Sequence, residues 1–296
     1  MHTFIRRLGS LAKKMLYVWQ RTLYSYKEKS GTPIKLYFPP KTAVYFHPEG
    51  QIAKLLHARE FEEREIKLVI NYLKPGMNVL DIGANIGLYS LIADKIISPS
   101  GKVWAFEPST ENFNRLAANI SLNKAVTVNP VRLALADLED TMVALRRDSG
   151  LGDAERYLEL QKGQKYTRST SVNDCGDAEQ VRVTTLDNYL YKELQTPPKI
   201  DFIKMDVEGG EMRVFQGASR TLADNPRMMI FFECVTLWCE RAGTTPDEVF
   251  QYLRRFGFEI YAINKNNCKW ESGKELINTA INVWACRHKT MLPEIS

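Results

Sequence analysis

The chain of 296 residues is short of metal-site and disulfide residues. It holds four histidines, and its five cysteines (Cys175, Cys234, Cys239, Cys268 and Cys286) form no C-x-x-C pair and have no histidine set to complete a zinc ligand group. That excludes a zinc site of regular spacing and a disulfide framework, and it fits a reducing compartment. No apolar run approaches the length of a bilayer span, and the N-terminus shows no signal-peptide cleavage pattern, so the expected location is cytoplasmic. Two nucleotide signatures are missing as well. A G-x-G-x-x-G fingerprint counted from Gly83 meets Asn85 and Leu88 at its second and third glycines, and no G-x-x-x-x-G-K-[ST] follows. Neither a dinucleotide nor a nucleoside triphosphate is indicated.

Charge of one sign is also missing from most of the chain. The formal net charge is +5, yet residues 1–30 alone hold seven Lys and Arg against Glu28, leaving the rest at −1. The body is near neutral and implies no general affinity for nucleic acid. In the basic segment Phe4, Leu8, Leu11, Met15, Trp19 and Leu23 recur at helical spacing. This predicts a basic amphipathic helix, packed on its own domain, on a second copy of the chain, or peripherally on an anionic inner membrane surface.

What is present is an alternation of strand and helix. Residues 34–47 read as short strands around a proline pair, and 58–73 as a helix stopped by Lys74-Pro75-Gly76. MNVLDIG, VWAFEP, VTVNPVRLALAD, IDFIKMDVEG and MMIFFECV read as strands. Helices fall between them at IGLYSLIADKII, ENFNRLAANISLN, EMRVFQGASRTLAD and PDEVFQYLRRFG. Ser109 and Thr110 are cap candidates, and Thr245 with Glu248 makes a capping-box pattern. Such alternation predicts βαβ units on a parallel sheet. FEIYAIN and TAINVWACRH have no helix pattern between them and should pair antiparallel. Residues 146–180 are polar and almost aperiodic, which marks a long insertion or lid. The expected organisation is an N-terminal part, 1–57, of basic helix and short strands, then a catalytic domain over 58–296.

The glycine turn DIGANIG opens with Asp81, a carboxylate that repels phosphate and suits a ligand with a positive amino group. Glu107, at the end of the next strand and before Pro108, stands where an acid accepts hydrogen bonds from ribose hydroxyls. An amine at one strand end and a ribose at the next describe S-adenosylmethionine. Glycines at such a turn also serve tight packing, and Asp81, Glu107 and Asp137 singly have structural readings as cap, surface acid and turn residue.

VLDIGANIG, AFEPS, ALAD and IKMDVEGGE, in that order, resemble the FkbM-type branch of the class I methyltransferases over roughly residues 60–285. The resemblance implies a Rossmann-like α/β fold: a mostly parallel seven-stranded sheet ending in an antiparallel hairpin, with helices on both faces. It implies that Asp81, Gly83, Ala84, Asn85 and Gly87 hold the methionine part of S-adenosylmethionine. Glu107 with Pro108 would hold the ribose, Asp137 would lie near the adenine, and Glu62 would contact the cofactor.

Methyl transfer to a hydroxyl needs an oriented acceptor and a base. Lys204 inside an apolar strand, Asp206 at its end, Glu208, and Glu233 on the next strand supply candidates, with Asp206 as base or orienting group. Glu211 reads chiefly as an acid favouring the start of a helix, and His47 and His57 as weaker acceptor-side candidates. Mg²⁺ is a further expectation from the number of acids. The expected reaction is O-methylation of a sugar, glycan or related small natural product. The alternatives are an NAD-dependent oxidoreductase and a non-catalytic S-adenosylmethionine-binding interaction module.

Overall fold

The computed structural model describes residues 32–47, 62–147, 156–159, 178–194, 196–264, 268–272 and 282–295. The basic segment 1–30 and His57 lie outside them. The chain enters on a hairpin, β1 (Ile34–Phe38) and β2 (Thr42–Phe46). Helix α1 (Glu63–Tyr72), strand β3 (Asn78–Ile82), helix α2 (Leu88–Ile97), strand β4 (Lys102–Phe106), helix α3 (Thr110–Asn123) and strand β5 (Val128–Val131) then alternate. After the short β6 (Ala134–Leu135) come β7 (Thr141–Arg147), β8 (Arg156–Glu159), β9 (Glu179–Thr184) and a helical turn α4 (Leu186–Asn188). The second half is β10 (Phe202–Met205), α5 (Glu211–Gln216), α6 (Ser219–Asp224), β11 (Met229–Glu233), α7 (Thr236–Arg241) and α8 (Pro246–Arg255). It closes with β12 (Glu259–Asn264), β13 (Lys269–Glu271) and β14 (Asn282–Cys286).

Eight of the described strands form the main sheet in the order β13-β12-β14-β11-β10-β3-β4-β5. Neighbours from β11 to β5 pair parallel, while β14 runs antiparallel to both β11 and β12. Seven of them make the expected mostly parallel sheet with its antiparallel end, and β13 adds an edge beyond the β12–β14 pair. The parallel strands read as apolar runs because helices cover both faces. Val79, Val103, Phe202 and Phe231 pack toward α1 and α2; Leu80, Ile82, Ile203, Met205 and Phe232 pack on the opposite side. Trp284 on β14 stacks on Phe231 at 4.8 Å between ring centroids and closes the first of these cores beside Phe202.

Two expected elements divide. VTVNPVRLALAD is not one strand: Val128–Val131 joins the main sheet, whereas Ala134–Leu135 pairs with β9 in a second sheet of order β6-β9-β7-β8. The described ends of the polar 146–180 stretch are strands of that sheet. EMRVFQGASRTLAD is two helices, because Gly217 lies so close to the Ala136 carbonyl that a Cβ there would come within 2.2 Å of its oxygen. Helix capping follows the sequence: the Ser109 hydroxyl accepts from the Asn112 N–H, and Thr245 and Glu248 form a reciprocal box.

The β1–β2 hairpin is fastened to α3 and, through it, to the glycine turn. Buried Asn119 accepts from the Tyr45 N–H at 2.7 Å and donates to the carbonyls of Tyr45 at 3.0 Å and Ile86 at 2.9 Å. Asn119→Leu strands all three backbone groups and is expected to cost about 2 kcal/mol, read as a lower urea midpoint at unchanged slope.

Candidate active site

Side chains alternate across a strand, so one parity at the C-terminal edge of the sheet faces α1 and α2. Asp81 on β3, Lys204 on β10 and Phe231 on β11 lie side by side in register. Two residues further on, with the same parity, come Asp206 and Glu233. The alternation alone therefore gathers Asp81, Lys204, Asp206 and Glu233 on one face.

Lys204 is the hub. It is buried, its ammonium lies 3.2 Å from an Asp206 carboxylate oxygen, and it sits 5.2 Å from the centre of the Tyr89 ring. Burial opposes its charge, but Asp206, Asp81 and Glu62 outweigh that cost and hold the group at about 12. Tyr89 and Ser90, in the first turn of α2, were not singled out as candidates from the sequence, although they directly follow the glycine turn. Tyr89 donates its hydroxyl to Glu62 at 2.6 Å, and Ser90 donates to Asp81 at 2.5 Å. Glu62 reaches in from the start of α1 in a left-handed conformation, φ 46°. Burial raises its carboxyl, and Lys204 partly offsets that.

The acid that the sequence undervalued is Glu211. It is buried, accepts from the Gly209 N–H at 3.1 Å, and burial pushes it up to about 7. Burial, with Asp206 next, pushes Glu233 up to about 8. Both are raised above the ordinary glutamate value. Each therefore adds stability while it holds its proton, and that stability is lost as pH rises through 7 and 8. Unfolding free energy is expected to fall as pH rises from about 4.5 to about 8 and to level off above that, measured by urea titration at each pH. Glu208 occupies a left-handed turn position at φ 50°, next to Gly209 at φ 97°.

The turn at 83–87 is held from below. Gly83 and Ala84 donate to the Phe106 carbonyl at 3.0 and 2.9 Å, and Gly87 donates to Ala84 at 2.8 Å. Gly83 lets β10 approach, since a Cβ there would stand 1.9 Å from the Asp206 carbonyl oxygen, and Gly87 makes room for Leu116. These two glycines serve packing. Asn85 takes a left-handed φ of 50° where the dinucleotide fingerprint has its second glycine, a conformation asparagine tolerates. Its N–H donates to one Glu107 oxygen at 2.9 Å, and the Ser109 N–H donates to the other at 3.0 Å. Glu107 thus ties the ends of β3 and β4 together across Pro108.

Asp137 does not close a strand of the main sheet. It follows β6 and is paired with Arg213 of α5 at 2.7 Å. His47 directly follows β2. Among the described residues no group of three or more His, Cys, Asp or Glu side chains is placed to hold a metal ion, which leaves the Mg²⁺ expectation without support. The cation that these acids share is the Lys204 ammonium. Nor is any described helix long and apolar enough to cross a membrane.

Among the described residues two buried side-chain oxygens have no hydrogen-bond partner, Thr42 Oγ1 in the hairpin and Asp81 Oδ1 at the edge of the main sheet. An orphaned carboxylate oxygen at a sheet edge calls for a donor. An ammonium group is such a donor, and the residues around it fit the amino-acid end of S-adenosylmethionine. A parallel sheet closed by an antiparallel strand, with acids at successive strand ends, defines a class I methyltransferase fold. A sequence model described as the methyltransferase FkbM domain matches residues 81–260. The chain belongs to the FkbM methyltransferase family.

Its relatives include methyltransferase sdnD of Sordaria araneosa, 28% identical over 207 residues that span 65% of this chain and 76% of that one. The 31-O-demethyl-FK506 methyltransferase FkbM of Streptomyces tacrolimicus is 27% identical over 245 residues, 75% of this chain and 88% of that one. Hexuronic acid methyltransferase AglP of Haloferax volcanii is 25% identical over 207 residues, 69% of this chain and 74% of that one.

Proposed function

We propose that the chain is an O-methyltransferase that uses S-adenosylmethionine and methylates a hydroxyl of a sugar, glycan or related natural product. The observation that carries this reading is the unpartnered Asp81 oxygen, one residue across the sheet from the Lys204–Asp206 pair. When bound, S-adenosylmethionine supplies an electrophilic methyl group on a sulfonium. Asp81 would accept from the cofactor's ammonium, the turn from Gly83 through Gly87 would line its amino-acid end, and Glu107 would hold the ribose hydroxyls. Asp137 would serve the adenine and Glu62 the methionine part.

An unassisted alcohol is too weak an acid to lose its proton before the methyl arrives. Asp206 accepts that proton as the bond forms, and Lys204 fixes the Asp206 carboxylate in place. Glu208 and Glu233 support this edge, and the helices over the sheet exclude water. The hydroxyl assignment draws on the relative whose name gives an oxygen as the methylated atom. The test is transfer of tritiated methyl to a panel of sugars and hydroxylated natural products, followed by mild alkali. A methyl that survives alkali is an ether and supports the reading. A methyl released by alkali is a carboxylate ester, of the kind a hexuronic acid would give, and contradicts it.

The basic apolar-striped sequence of residues 1–30 would suit a peripheral contact with an anionic membrane, near lipid-linked acceptors. Vesicles rich in anionic lipid should retain the full chain better than a chain lacking residues 1–30, and equal retention removes the idea. Concentration-dependent self-association of the full chain alone would assign the segment to a subunit contact instead.

A further inference from the structure

The transfer end of the site carries more acid than its one lysine neutralises. Around the Lys204 ammonium stand Glu62 before α1, Asp81 on β3, Asp206 after β10 and Glu233 on β11, with Glu211 of α5 near Asp206 and Glu233. The other described elements packed here add little countercharge. Tyr89 on α2 is a neutral phenol, Asn282 on β14 lies opposite Glu233, and buried Cys234 and Cys239 place their sulfurs 3.7 Å apart. Arg241 on α7 is held over the Trp238 ring at 4.6 Å.

Such a site separates ligands of the same shape by their charge. S-adenosylmethionine carries an ammonium, a carboxylate and a sulfonium, a net of one positive charge; S-adenosylhomocysteine lacks the sulfonium and is neutral overall. Transfer breaks the sulfur–methyl bond, leaves its electron pair on sulfur, forms the methyl–oxygen bond and passes the hydroxyl proton to the base. The cofactor loses its positive charge in that step, and the balancing proton rests on the base until it is released.

We infer that Glu233, with its acidic neighbours around Lys204, determines the preference of this site for the sulfonium cofactor over its thioether product, so that methyl transfer itself loosens the spent cofactor. This rests on the reading that the site binds S-adenosylmethionine. Geometry supports it: strand parity places Glu233 on the Asp81–Lys204 face, two residues beyond Phe231, whose ring packs against Tyr89. The titration of Glu233 near pH 8 makes the preference adjustable. Below that pH the group is largely neutral and the preference is small. Above it the added negative charge favours the sulfonium, by about tenfold for a unit charge several ångströms away in a half-buried setting. By linkage, the sulfonium form should expel more protons on binding near pH 7.5 than the thioether does.

The experiment is calorimetric titration of the full chain and of Glu233→Gln with S-adenosylmethionine, S-adenosylhomocysteine and the cationic analogue sinefungin, at pH 7.0 and 8.5. Amino groups on the ligands titrate against both proteins alike, so the difference between the proteins belongs to Glu233. For the wild type the affinity ratio of sulfonium to thioether should rise about fourfold between the two pH values, sinefungin following the sulfonium, and Glu233→Gln should flatten the rise. The wild type alone, titrated in two buffers of different ionisation enthalpy, should release more protons with the sulfonium ligand. A ratio independent of pH, a ratio unchanged by Glu233→Gln, or equal proton release overturns the inference while leaving the cofactor assignment standing. Absence of binding by all three ligands removes the cofactor assignment itself, and the inference with it.

Discussion

Lys204→Met is expected to be among the most damaging single substitutions in the chain, at about 3–5 kcal/mol. The lysine is buried and, among the described residues, is the cation that Glu62, Asp81, Asp206 and Glu233 share. Removing it leaves buried acids with no countercharge, which costs more than the original pair contributed. The loss should depend on pH in a defined direction. Glu211 and Glu233 already hold protons up to about 7 and 8 beside the lysine. Without it they hold them higher still. At pH 6 the cluster of the variant is largely protonated and the deficit is small; at pH 8.5 the deficit is full. Urea unfolding of both proteins at the two pH values checks this, and equal deficits would contradict the role given to Lys204.

Gly83→Ala should match that effect by a different route. The glycine is in the left-handed region at φ +79°, and a Cβ would stand 1.9 Å from the Asp206 carbonyl oxygen, a backbone atom that no side-chain rotation clears. Strain and clash together are expected to exceed about 3 kcal/mol. The end of β10 must shift, carrying Lys204 and Asp206 away from Asp81, so cofactor affinity should fall along with stability. Gly210→Ala is the control. Its nearest contact is 3.3 Å and its φ is not positive, so the cost should stay near or below about 1 kcal/mol. Comparable losses in the two variants, by thermal melting and cofactor titration, would refute the close-approach argument.

The strands of the main sheet were legible because their signals are local. VLDI, WAF, FIKM and IFFE are apolar runs buried on both sides, and an acid ends or follows each run where an open sheet presents its ligand edge. The Thr245–Glu248 box and the Ser109 cap were legible for the same reason. What stayed hidden depends on contacts between distant segments. Glu211 looked like a helix-start acid, and it is one, accepting from Gly209; only the fold buries it beside Asp206. Tyr89 and Ser90 read as two more residues of an apolar helix until Glu62 and Asp81 arrive from other elements. VTVNPVRLALAD carries one unbroken pattern, and only the partners of its two ends, β4 and β9, show that it serves two sheets. Gly217 looked tolerable inside a helix because the Ala136 carbonyl that it must clear lies far away in sequence.

The central claim is that Asp81, at the end of β3, receives the ammonium of S-adenosylmethionine. Burial raises the Asp81 carboxyl above its ordinary value, so its charge does not stabilise the ligand-free fold, and Asp81→Asn should fold no less stably than the wild type. The direct measurement is calorimetric titration of S-adenosylmethionine into the wild type and into Asp81→Asn at pH 7.5, alongside their melting temperatures. The account predicts binding by the wild type and at least about a tenfold loss in a variant that melts no lower. Equal binding by the two proteins, or no binding by a folded wild type, would contradict it.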